Sequence, residues 1–124
     1  MIERILKKNI QFSIITDGRS ISQRNKINSL GLERIASNII ISEETGFEKP
    51  NVYNFEIIQK IYSDKKFVYI ADNTKKDFIA PNLLNWNTIC LIDNGFNIHK
   101  QDFDLDDSFL PKKTVKTLRE IKII

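Results

Sequence analysis

Apolar residues along this chain gather in short runs separated by stretches of helical spacing. Residues 11–16, 38–42, 67–71 and 87–92 are compact runs rich in isoleucine, valine and threonine, the composition of strands. Phe67-Val68-Tyr69-Ile70-Ala71 is continuous enough to suit a strand buried on both faces of a parallel sheet. Between these runs the period changes. Residues 2–8 carry apolar positions at 2, 5 and 6. Residues 20–30 carry Ile21, Ile27 and Leu30, with Ser20 or Ser22 as the cap and Gly31 as the stop. Pro50 is placed for the first turn of a helix carrying Val52, Phe55, Ile58, Ile61 and Tyr62. A further helix is expected over 75–84. Residues 43–50 and 96–110 are polar and irregular. Thr114, Val115, Leu118 and Ile121 predict a closing helix, with 121–124 as a last short strand or frayed end. Strands alternating with helices imply βαβ units, right-handed crossovers and an α/β fold with a parallel sheet. A single domain over 1–124 is the expectation.

Composition narrows the classes without choosing among them. The chain has 124 residues, enough to bury a core. Its net charge is only +3, with the lysines scattered, so a nucleic-acid partner is not expected. Cys90 is the single cysteine and sits inside an apolar run, which reads as a buried structural thiol. No segment approaches the ~20 apolar residues of a membrane span. The first residues lack a signal-peptide pattern, so a cytoplasmic protein is expected. His99, the only histidine, lies in a polar stretch and reads as a surface residue.

The candidate chemistry falls at strand ends. Thr16-Asp17-Gly18 closes the first run. Lys49 lies in the loop after the second. Asp72, Asn73 and Asp77 follow the third. In a parallel sheet these carboxyl ends share one rim, where open α/β sheets bind ligands. A hydroxyl, an ammonium and two carboxylates suit a phosphate handled with a divalent metal. Each also has a plainer reading: a strand-end cap for Thr16, a solvated loop lysine for Lys49, and turn chemistry for Asp72-Asn73.

Taken in order, these segments resemble the haloacid dehalogenase superfamily, mostly phosphatases that use an aspartate nucleophile. Ile14-Ile15-Thr16-Asp17-Gly18 is similar to its second motif, and Lys49-Pro50 to its third. Ala71 to Asp77 is similar to its fourth, G-D-x-x-x-x-D, with Ala71 where glycine is usual. The resemblance covers about residues 1–95. It implies a three-layer Rossmann-like core with helices on both faces of the sheet, and a phosphorylated small molecule as substrate. It also implies residue roles. Thr16, Asp17, Gly18 and Lys49 would bind phosphate, with Thr16 and Lys49 catalytic. Asp72 and Asp77 would hold Mg2+, supported by Asn73.

The superfamily's first motif, D-x-D, has no counterpart before Thr16, and neither does a substrate-selecting cap. The nucleophile is therefore expected from outside this chain. The sheet would be completed by another polypeptide, by a second copy, or by direct closure of the Thr16 strand on the Ala71 strand. Phe103-Asp104-Leu105-Asp106-Asp107 imitates the lost motif. The residues before it are too polar for a buried central strand, so it reads as an acidic loop capping the last helix. Three functions follow: a phosphohydrolase or its carboxyl-terminal portion; a catalytically inactive remnant acting as a binding domain; and a phospho-receiver domain. The order of Lys49 before Asp72 argues against the last.

Overall fold

A computed structural model describes residues 2–92 and 101–121. The expected turn at Asp93-Asn94-Gly95, His99, and the end at 122–124 lie outside the described residues. The chain divides into two compact units, Met1–Ile61 and Tyr62–Ile124. All described strands pair in parallel, in two sheets of order β1-β2 and β3-β4-β5.

The first unit runs α1 (Ile2–Lys7), β1 (Ser13–Thr16), α2 (Ser20–Ser29), β2 (Asn38–Ile41), α3 (Ser42–Thr45) and α4 (Tyr53–Ile61). β1 and β2 pair from Ser13↔Asn38 to Thr16↔Ile41. Their core is Ile40, Ile41, Phe55, Ile58 and Ile27. Phe55 and Ile58, three positions apart, share one face of α4, which packs on β1. Three expectations change here. Ser20 does not cap α2: Arg19 holds the cap position without a side-chain bond. Carboxylates of α3 do that work instead. Glu43 accepts from the Ser20 N–H (3.0 Å), and Glu44 takes the Ser20 hydroxyl and both arms of Arg24, at 2.8 and 2.7 Å. The Arg24 fork holds the Glu44 carboxyl below its usual range. Second, α2 buries Ile27 alone, while Ile21 and Leu30 are exposed. Third, Pro50 does not open α4. It sits in a turn after a cis Lys49–Pro50 bond. The Asn51 side chain accepts from the Tyr53 N–H (2.8 Å) and starts the helix there.

The second unit holds β3 (Val68–Ala71), α5 (Ile79–Leu83), β4 (Asn87–Leu91) and β5 (Lys113–Val115), with 3-10 turns at Asp107–Phe109 and Leu118–Glu120. Phe78, Ala80, Trp86, Ile89, Cys90, Val115 and Ile121 form its core, and Phe67 stacks on Trp86 at 4.5 Å. The expected closing helix is absent: Val115 lies in β5, parallel to β4. Its spacing to Ile121 is met by a strand followed by a 3-10 turn, and both side chains are buried. Polar groups hold this segment extended. Asn82 Nδ2 donates to the Ser108 and Leu110 carbonyls (3.2 and 2.7 Å), and the Lys112 N–H donates to Thr88 Oγ1 (2.9 Å). β3 is also not buried on both faces, since Val68 is 53% and Ile70 36% exposed. Among the described strands β1 neighbours only β2, and β3 only β4.

Candidate functional site

The first unit gathers its candidates around the carboxyl ends of β1 and β2. Thr16 ends β1, and its hydroxyl donates to Gln23 Oε1 (2.8 Å). The next residue turns back on the lysine loop: both Asp17 carboxylate oxygens accept from the Lys49 N–H, at 3.2 and 3.3 Å. Gly18 has φ 125, a conformation that favours glycine. Its N–H donates to Ser42 Oγ (2.9 Å), the first residue of α3. Two residues before Lys49, the Phe47 carbonyl accepts from Asn54 Nδ2 (2.8 Å). Thr16, Asp17, Gly18 and Lys49 are thus brought together. The polar groups of Asp17 and Gly18 are directed at Lys49 and Ser42, which fixes the two loops to each other. Ser42 and Asn54 were not singled out from the sequence. Asn54 did carry a signal, an amide beside Phe55 on the buried side of α4. It is 1% exposed, and its Oδ1 has no partner.

The second unit gathers Asp72, Asn73 and Asp77 after β3. The expected helix over 75–84 begins only at Ile79. Side chains accept from the Asn73 and Lys75 amides, and the Asn73 carbonyl takes the amides that follow. Asp77 Oδ2 accepts from the Asn73 N–H (2.9 Å), Asn73 Oδ1 from the Lys75 N–H (3.0 Å), and the Asn73 carbonyl from the Asp77 N–H (2.9 Å). Asp77 is 4% exposed. Asp72 and Asp77 both act on Cys90. Burial, then these two carboxylates, push its thiol from an ordinary 9.0 to about 11. At pH 8 the thiolate population is then about a hundredfold below that of an ordinary cysteine. Iodoacetamide is expected to label the folded chain at least that much more slowly than the urea-unfolded chain. The linkage has one sign: the unfolded thiol loses its proton first, so stability is complete below pH 9 and falls as pH rises towards about 11.

The donors fit magnesium in kind. Carboxylate oxygens are hard ligands, and Mg2+ is commonly held by one or two of them with several waters. Among the described residues no group of three His, Cys, Asp or Glu side chains gathers for a metal ion. Asp72 and Asp77 would therefore form a partial set. Asp104 and Asp106 do not imitate the first motif in structure. Residues 101–104 form no strand, and the Asp104 N–H folds back on Asp102 Oδ1 (2.9 Å). The loop is acidic, as expected, but it leads to a 3-10 turn and β5 rather than a helix.

Parallel βαβ order, with hydroxyl, lysine and carboxylates at strand ends, defines a class that comparison identifies. The sequence pattern of haloacid dehalogenase-like hydrolases matches residues 1–91, and the chain belongs to that family. It is 27% identical over 114 residues to a glyceraldehyde 3-phosphate phosphatase of Methanocaldococcus jannaschii, covering 90% of this chain and 47% of that protein. A HAD phosphatase from Thermococcus onnurineus has the same fold, with TM-score 0.76 and 18% identity over 96% of this chain and 52% of that one. So does YfnB of Bacillus subtilis, assigned as a HAD-hydrolase and bound to magnesium. Its TM-score is 0.72 and its identity 21%, over 94% of this chain and 50% of that one. The fold class is thus the Rossmann-like α/β expected, and the chain spans about half the length of these relatives. Among the described residues no helix is long and apolar enough to cross a membrane.

Proposed function

We propose that these residues form the phosphate- and magnesium-handling part of a haloacid dehalogenase-like phosphatase acting on a small phosphorylated molecule. The observation that carries this reading is the bond from the Lys49 N–H to the Asp17 carboxylate. It seats the lysine loop beside the end of β1, where the Thr16 hydroxyl and the Lys49 ammonium would serve one anion. Thr16 would donate to a phosphoryl oxygen, and Lys49 would neutralise phosphate charge. Asp17 and Gly18 would hold the two loops in register. Asp72 would hold Mg2+, with Asp77 and Asn73 fixing its loop. Bound Mg2+ would offset charge on the phosphoryl oxygens.

An aspartate from outside these residues would attack phosphorus, forming an aspartyl-phosphate as the ester oxygen leaves with a proton. Water would then cleave that intermediate. The strand bearing this aspartate, from adjoining sequence or another polypeptide, would pair with an edge of β1 or β3 that has no neighbouring strand among those described. A second copy of the chain is the other candidate for such an edge. The phosphatase name of the Methanocaldococcus relative supports a phosphorylated small molecule as substrate.

The test is calorimetric titration of the chain with Mg2+, followed by a phosphatase assay. The chain is expected to bind Mg2+, and Asp72→Asn to weaken binding by at least about tenfold, the effect of losing a charged ligand. Turnover of p-nitrophenyl phosphate should appear when a D-x-D segment is joined or added. Absence of Mg2+ binding would sink the reading. Binding without turnover under any such addition would favour the alternative, a catalytically inactive binding domain. Turnover by the chain alone that Asp104→Asn abolishes would instead place the nucleophile in the acidic loop.

A further inference from the structure

The second unit contains an arrangement that the phosphatase reading leaves unused. β3 and β4 pair up to Ala71↔Cys90. Beyond that point the next carbonyls, of Asp72 and Leu91, lie past the β3–β4 pairing, though Leu91 still pairs with Val115 of β5. Both accept from one side-chain amide: Gln101 Nε2 donates to the Asp72 carbonyl and to the Leu91 carbonyl, each at 2.8 Å, and lies 3.6 Å from Cys90 Sγ. The adjacent residue makes a reciprocal pair. Thr74 Oγ1 donates to the Asp102 carbonyl (2.7 Å) and accepts from the Asp102 N–H (3.1 Å). Thr74 is fully buried, so this hydroxyl has no water to turn to.

We infer that Gln101 and Asp102 form a strap that sets the metal-holding loop, with Gln101 a positioning residue for Asp72 and Thr74 its anchor. The inference rests on the reading of Asp72 as a Mg2+ ligand. Two physical features support a role beyond local stapling. The strap grips the main chain of Asp72 itself, so it fixes where that carboxylate starts without occupying its oxygens. At Asp72 the grip is a donor. The Gln101 side-chain amide adds no negative charge there, whereas a carboxylate at the same place would repel Asp72. Partners that orient a metal ligand in this way commonly account for about 10–100-fold in metal affinity.

The experiment compares the full chain with Gln101→Met, of similar length at a half-exposed position, and with Thr74→Val and Thr74→Ser. Each is measured for urea stability, for Mg2+ affinity by calorimetry, and for amide exchange of Asn73, Lys75 and Asp77. Gln101→Met and Thr74→Val are expected to stay folded and to weaken Mg2+ binding about tenfold. The three loop amides should exchange about tenfold faster, the effect of one lost hydrogen bond. Thr74→Ser should restore both readouts. Folded variants with unchanged Mg2+ affinity would overturn the inference even if exchange rises, because the strap would then be only a staple. If Thr74→Val does not fold, Gln101→Met decides alone. If the unsubstituted chain binds no Mg2+, the phosphatase reading fails and the metal-positioning role of Gln101 fails with it; unchanged loop exchange would show separately that the strap does not hold the loop at all.

Discussion

Lys49→Met, in the chain joined to a D-x-D segment, is expected to lower phosphate-ester turnover by about 10²–10³-fold, the usual effect of removing one preorganised donor from a developing negative charge. The unfolding midpoint should change little, because the bond that seats the loop uses the Lys49 backbone and not its ammonium. Methionine keeps most of the side chain's length and removes the ammonium, with its charge and its N–H donors. Lys49→Arg is not a mild control, since a planar fork replaces a compact point charge. Asp17→Ala separates positioning from charge. It leaves the ammonium in place but frees the loop, so KM should rise more than kcat falls. Steady-state kinetics on the three variants checks this. A Lys49→Met enzyme as active as the parent would remove lysine from the site and leave Thr16 without its partner.

The largest stability effect is expected at Phe78. Its side chain is fully buried, and its ring meets Tyr69 edge-on at 6.4 Å between centroids. Phe78→Ala removes an aromatic side chain from a core that cannot collapse around the space, a loss of about 3–5 kcal/mol. Urea unfolding of the second unit, followed by Trp86 fluorescence, measures it. Phe78 also follows Asp77 directly and precedes α5, so the same substitution loosens the end of the acidic loop. Mg2+ affinity should therefore fall in Phe78→Ala even under conditions where most molecules remain folded. Phe78→Leu, which keeps most of the volume, should recover the greater part of both.

The four strands were legible from composition, because a run such as Ile39-Ile40-Ile41 has few alternatives to a buried extended chain. The closing segment was not. Val115 and Ile121 keep the same spacing in a helix or in a strand followed by a 3-10 turn, and only Asn82 and Thr88, which hold 108–112 extended beside β4, choose between them. The late start of α5 has a similar cause. The Asn73 and Asp77 side chains bond the Lys75 and Asn73 amides, closing a local turn that competes with helix before Ile79.

The residues proposed to handle a phosphate and a cation were candidates from the sequence, because charge and hydroxyl chemistry belong to the side chain wherever it lies. Their order along the chain sufficed to place the protein among haloacid dehalogenase-like hydrolases. Their partners could not be read. Asp17 meets Lys49 across 32 positions, and Gln101 meets Asp72 across 29. Nothing local marks either pairing, since an aspartate or glutamine has the same propensities whichever carbonyl or amide it meets. Folding alone brings such groups within hydrogen-bond distance of one another, and so decides which polar residues would hold the site and which would do its chemistry.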